Sequence, residues 1–327
     1  MDRFKGIFYA VVSAVSFGLV PLFTMPILSA GSMGRPSILF YRFGIAAAVI
    51  GLAGAFLGRS FRVSARMLCV LAVLGFLYAA TSLGLIFSYM RIPTGTATTL
   101  HFLYPVLVAF MMAAFFGERA SPAVLGAAVL SLAGVALMTF GGGLFDAFGT
   151  ACALGTVATY ALYIVGVRAT GAGKMDSIAL TFYVLAFGSA MFAAFAAASG
   201  GVEGIGDAGT FLNLFLLALI PTVISDFTLV LAVKRAGPTV TAVLGSFEPL
   251  AALLAGFVFF SEPLGVSAVC GFLLIVSGVI AVVLSSEGEG GGPPRFFRRR
   301  LFFLPRSMRP FRRGFRHSGG RRTGTEG

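Results

Sequence analysis

Ten apolar stretches, each about as long as a bilayer is thick, fill nearly all of this chain up to residue 285. A helix needs about 20 residues to cross the hydrocarbon core. The stretches cover residues 7–28, 36–57, 67–89, 95–116, 121–140, 149–168, 177–198, 210–233, 239–260 and 265–285, with short loops between them. At 58% hydrophobic and 11% charged residues, and with a mean hydropathy of +0.97, the chain has too few charges to cover a soluble surface. The expected fold class is therefore an all-α polytopic membrane protein of ten transmembrane helices. The N-terminal MDRFKG leads into an apolar run longer than a cleavable signal carries, so it reads as a retained first helix.

The ninth stretch is the least ordinary. PTVTAVLGSFEPLAALLAGFVFFSE, residues 238–262, carries Glu248 and Pro249 at its middle. A carboxylate at that depth costs at least about 2.5–3.5 kcal/mol, and such groups usually face a bundle interior or a wet cavity. The proline frees a backbone carbonyl one turn earlier and bends the helix. The same stretch has an echo 144 positions upstream. Arg91 falls on Arg235, Leu100 on Leu244, Pro105 on Pro249, Glu118 on Glu262 and Gly134 on Gly278, without a gap. Tyr104 stands where Glu248 does. The chain reads as a duplication, with a first repeat over residues 1–141, a second over 142–286, and a separate tail over 287–327.

Basic residues set the orientation. With the N-terminus inside, Arg3, Lys5, Arg59, Arg62, Arg66, Arg119, Arg168, Lys174, Lys234 and Arg235 are cytoplasmic, whereas the outer loops hold only Arg35 and Arg91. Asp146, Glu203, Asp207 and Glu262 fall outside. Both termini are thus expected in the cytoplasm of a plasma (inner) membrane protein. Five spans per repeat invert the second half against the first, an arrangement that secondary transporters use for alternating access.

The sequence resembles the EamA family of the drug/metabolite transporter superfamily. The resemblance rests on YRF at Tyr41–Phe43, on Tyr104-Pro105 followed by Gly117-Glu118, and on Glu248-Pro249 followed by Ser261-Glu262. Gly134 and Gly278 match as well. Ser261 departs from the family, which usually has glycine there. The resemblance implies a ten-helix carrier, more often an exporter, of a small organic metabolite; its signature residues do not name the cargo, and an amino acid or related compound is read from the charges within the spans. It also implies a cavity between the halves, lined by the first, third, fourth, sixth, eighth and ninth helices.

Five polar side chains within the spans are candidates for substrate or proton binding: Glu248, Asp226, Arg42, His101 and Tyr104. Glu248 either binds a proton or a cationic cargo group, or pairs with Arg42. Asp226, whose first-half equivalent is Ser82, lies outside the family pattern and either selects cargo or pairs with Lys234 or Arg235. His101 aligns with Gly245 and is a packed group or a proton relay. Pro105 and Pro249 are the expected helix kinks. With both acids ionised and His101 neutral, the four titratable groups carry one net negative charge, which suits a cationic or zwitterionic cargo.

Enzymatic readings fare worse. The Gly204–Asp207 stretch matches an intramembrane protease pattern by letters but lies in a loop. Ser246 and His101 could form a hydrolase dyad, the alternative to transport, yet no GxSxG surrounds the serine. No HExxH, Walker lysine or glycine-rich nucleotide turn is present, so no cofactor is expected. Cys69, Cys152 and Cys270 lie in apolar spans and read as small core residues, not as a disulfide framework or a metal site. Eleven of the 24 basic residues lie after position 290, interleaved with phenylalanines. That tail reads as disordered and cytoplasmic, suited to an anionic leaflet rather than to nucleic acid.

Overall fold

The computed structural model describes residues 2–116, 126, 129–130, 133–138, 146–236, 241, 244–245 and 247–287. The tail beyond Glu287, Ser246, Gly117, Glu118 and most of the fifth expected span lie outside the described residues. The described chain is helical throughout: α1 (Asp2–Gly18), α2 (Val20–Ser29), α3 (Arg35–Phe56), α4 (Ala65–Tyr89), α5 (Thr94–His101), α6 (Tyr104–Phe116), α7 (Ala147–Thr170), α8 (Ser177–Ala198), α9 (Ala208–Ala218), α10 (Ser225–Ala236), α11 (Phe247–Phe260) and α12 (Val266–Glu287). A π-helical turn, Leu219–Ile224, joins α9 to α10. Seven spans among the described residues are long and apolar enough to cross a membrane, and two shorter apolar helices follow them.

Local chemistry sets the helix ends. Ser64, Asp146, Asp176 and Asp207 are N-caps whose side chains accept hydrogen bonds from amides of the first turn. The Thr210 hydroxyl and amide together hold the Asp207 carboxyl below the usual carboxylate range. Gly31, Gly58 and Gly200 take left-handed backbone conformations just past α2, α3 and α8. The residue after each reaches back to a carbonyl in the last turn, as in Arg59 N–H to Gly54 O at 2.9 Å. Ser261 also takes a left-handed conformation, at φ 54°, at the position where the family usually has glycine.

Helix pairings come in matched sets. α1 packs on α10, and α4 packs on α7; a shift of 144 turns one pairing into the other. α4 on α8 is matched in the same way by α9 on α3. α3 with α8 pairs a helix with its own equivalent, and α5, from the fourth span, packs on α11, from the equivalent ninth span. Loops gather at two ends. Arg59 pairs with Asp176 at 3.5 Å at one end. At the other, Arg91 pairs with Asp146 at 3.8 Å and Glu203 accepts from Gly34 N–H at 2.7 Å. This sorting groups the loops as the basic-residue bias groups them.

The tightest packing lies between α3 and α8, where Phe43, Ile38, Leu39, Leu185 and Phe192 are fully buried. The bundle's outer surface is apolar, with Phe56, Phe115 and Val266 almost wholly exposed. One expectation fails here. Cys69 and Cys270 are exposed and Cys152 is only partly covered, so none is a core residue. An apolar residue need not be interior when lipid is the surrounding solvent. All three are free thiols.

Candidate functional site

Besides the first span, which turns at Leu19 ahead of Pro21, three membrane helices are interrupted near their middles, each beside a proline. α5 stops at His101 and α6 begins at Tyr104, with Phe102 and Leu103 in a turn ahead of Pro105. In the equivalent helix, Gly245 is a turn residue and α11 begins at Phe247. Pro249 has no N–H for the Gly245 carbonyl, and the Glu248 amide bonds that carbonyl instead, at 2.9 Å. The third break is the π turn around Pro221, a common companion of functional sites. There the Thr222 hydroxyl donates to Leu217 O, the acceptor that Pro221 strands, at 3.3 Å. Discontinuous helices of this kind put half-helix termini at the middle of a bundle.

The π turn also determines where Arg42 goes. Its Nε donates to Thr222 Oγ1 at 3.1 Å, and the residue is 2% exposed. Asp226, in the first turn of α10, interacts electrostatically with this guanidinium, as do Tyr78 and Tyr89. Of the two readings of Glu248, the pairing with Arg42 has no counterpart here. No ion pair joins those two among the described residues, and Glu248 Oε1 has no hydrogen-bond partner. A π turn takes in an extra residue and rotates the helix that follows. Asp226 is thereby turned to Arg42. Its expected alternative partner is also occupied elsewhere: the Arg235 guanidinium lies over the Tyr9 ring, 4.9 Å from its centroid.

Glu248 is 7% exposed, in the first turn of α11. Gly18 packs directly on its backbone carbonyl and on Ala251 and Ala252, so α1 and α11 touch without an intervening side chain. The Glu248 carboxylate lies within electrostatic range of Tyr78, Tyr89, Tyr104 and Tyr160. These rings belong to a wall built by α4, α6 and α7. Tyr104 meets Tyr160 edge to face at 4.6 Å, Tyr160 stacks on Tyr163 at 5.8 Å, and Tyr78 lies 5.3 Å from Tyr163.

His101 closes the wall from α5. It is 1% exposed, its Nδ1 lies 2.9 Å from Thr156 Oγ1, and its ring is 5.2 Å from Tyr160. Nε2 has no partner among the described residues. Ser246, its proposed dyad partner, lies outside them.

Between them, the two halves therefore hold an acidic side, Asp226 and Glu248, facing a tyrosine side, with Arg42 behind Asp226. Such a site can bind a polar group and stack an apolar body. The reading of the sequence missed Tyr78, Tyr89, Tyr160 and Tyr163, along with Thr222 and Pro221. A signal was present: the chain has only eight tyrosines, and Tyr160 and Tyr163 stand at the i, i+3 spacing of one helix face.

Away from the middle, Glu262 ties the halves together. Its Oε1 accepts from the Thr94 amide at 2.8 Å and its Oε2 from the Thr94 hydroxyl at 3.1 Å. A second-repeat carboxylate thus caps α5 of the first repeat.

Comparison with known proteins agrees with this architecture. The family model described as "EamA-like transporter family" matches residues 4–140 and again 147–284. A Bacillus subtilis (strain 168) protein described as "Uncharacterized transporter YvbV" is 25% identical over 201 residues, 61% of this chain. The aligned region spans 66% of that relative's length. A solved protein, "Crystal structure of protein", superimposes with a TM-score of 0.64 at 19% identity, over 88% of this chain and 100% of its own.

Proposed function

Because this chain belongs to the EamA-like transporter family, we propose that it is a secondary transporter that moves a small organic metabolite by alternating access. Ten helices form two inverted five-helix repeats, residues 1–141 and 142–286, that rock about the site between them. The observation that carries this reading is the central Glu248, buried and without a partner for Oε1, at the start of a half-helix and opposite a tyrosine wall. Burying a carboxylate without a partner is costly, and a cargo group or a proton supplies what is missing. The matched helix pairings support exchange between two equivalent arrangements.

On this reading Glu248 and Asp226 bind cargo or exchange protons, Arg42 tunes Asp226, and His101 and Tyr104 shape the wall. The breaks beside Pro105 and Pro249 act as hinges. The basic-residue bias places both termini in the cytoplasm of the plasma (inner) membrane, and the arginine-rich tail lies against its anionic lipids. Family resemblance favours export. The family is one of transporters rather than enzymes, and the hydrolase alternative finds no support in it.

The test is transport itself. Proteoliposomes of the full chain, loaded with a metabolite mixture, should exchange at least one compound faster than empty liposomes. Failure of every component to move, with correctly folded and inserted protein, would refute the reading.

A further inference from the structure

Four of the eight tyrosines, Tyr78, Tyr89, Tyr104 and Tyr160, lie within electrostatic range of Glu248, and Tyr163, in range of Asp226, stacks on Tyr160. We infer that the site selects an organic ammonium ion, one positive charge on an apolar or aromatic body, held between the Glu248 carboxylate and the faces of Tyr104, Tyr160 and Tyr163. The inference deepens the transport reading and rests on it.

The charges decide the sign. Arg42 is committed to Thr222 by a hydrogen bond and drawn to Asp226 by electrostatic attraction, so its charge does not serve Glu248. Glu248 has no compensation: no basic side chain pairs with it among the described residues, and its Oε1 is buried without a partner. A buried acid with no cation beside it gives up its proton only against an incoming positive charge, so the site calls for a monocation. A zwitterion would need a second cation for its carboxylate, and the Arg42 guanidinium is already held. An anion would meet Glu248 directly.

The rings decide the body. Tyr104 and Tyr160 stand at 87° to each other, Tyr160 and Tyr163 at 23°, so a corner of ring faces and edges borders the acid. Ring faces attract cations, most strongly where water is excluded. The Tyr104, Tyr160 and Tyr163 rings are only partly covered, and no hydrogen bond among the described residues ties down their hydroxyls. Tyr89, by contrast, is buried and bonded to Thr98 at 3.2 Å, and belongs to the frame.

The chain has no tryptophan, so its intrinsic fluorescence reports on tyrosine alone. Purified full-length protein should be titrated with 2-phenylethylammonium, phenylalanine and 3-phenylpropionate, which share a body and differ in charge. The ammonium ion should quench and saturate, phenylalanine should bind at least about 10-fold more weakly, and phenylpropionate should not bind. Glu248→Gln should weaken ammonium binding by about 10-fold or more. Tyr160→Leu should cost about 2- to 30-fold, the span of a cation–π contact, and Tyr160→Phe should restore it. Equal affinity for phenylalanine or phenylpropionate, unaltered binding in Glu248→Gln, or no binding of the ammonium ion to folded protein would each overturn the inference. Counterflow of phenylalanine or phenylpropionate by a protein that ignores the ammonium ion would sink the selectivity while transport stands. Tight ammonium binding with no flux of any compound would sink transport while the site stands.

Discussion

Glu248→Gln separates two accounts of the central acid by its effect on stability. If Glu248 were one half of a buried ion pair with Arg42, removing its charge would strand the guanidinium and cost about 3–5 kcal/mol. The structure points elsewhere, because Arg42 Nε is bonded to Thr222 and Glu248 Oε1 has no partner. The substitution then removes a charge whose burial in a membrane helix costs about 2.5–3.5 kcal/mol. It adds a buried amide that costs about 1–3 kcal/mol if left unbonded. The balance runs from about 2.5 kcal/mol gained to about 0.5 kcal/mol lost. Detergent-solubilised Glu248→Gln should therefore unfold thermally at or above the wild-type temperature while its transport falls. A double-mutant cycle with Arg42→Gln makes the test specific. The coupling between positions 42 and 248 should lie within about 0.5 kcal/mol of zero, and that between 42 and 226 should clearly exceed it. A Glu248→Gln protein destabilised by about 3 kcal/mol or more, with coupling of similar size to Arg42, would refute the reasoning.

Glu262→Ala removes both bonds that cap Thr94; because the site is only partly buried, the cost should be about 1–3 kcal/mol, with faster hydrogen exchange at the Thr94 amide as the direct readout. Thr222→Val leaves Arg42 Nε without its acceptor and should destabilise the protein by about 1–3 kcal/mol in thermal unfolding; an unchanged melting temperature would mean that Arg42 is held by other contacts. Ser261→Gly relieves a left-handed conformation that costs a side-chain-bearing residue about 1–2 kcal/mol, and partly offsets this by loosening the unfolded chain, so the melting temperature should rise slightly.

What the sequence revealed follows from what a membrane does to sequence signals. Features whose consequence lies within their own stretch were legible. Pro105 and Pro249 have no N–H to give, and the helix breaks where each missing bond would have been. Glu248 is anomalous among apolar neighbours and proved to be buried. Pro221 stood equally in view within the eighth span, but its consequence is not local. The carbonyl it strands is met by Thr222, and only the resulting turn brings Thr222 and Asp226 toward Arg42, 180 residues away from Thr222 in the chain.

Faces were harder to read than breaks. In a water-soluble protein the period of apolar residues shows which side of a helix is buried. In lipid both sides are apolar, so Cys69 and Cys270 could be misassigned to the core, and Tyr160 and Tyr163 do not stand out from the residues around them. Contact faces in a bilayer are marked instead by small and polar residues that let backbones approach or bond across helices. Gly18 against α11, Gly75 against the Val184 carbonyl of α8, and Gly84 against Thr156 of α7 lie where helices meet most closely. Ser13 and Ser225 bond each other's carbonyls across α1 and α10 at 2.8 and 3.0 Å. Read by those residues, α7 packs on α4 through Thr156. Tyr160, one turn further along α7, then falls on the same face, toward His101 and Glu248.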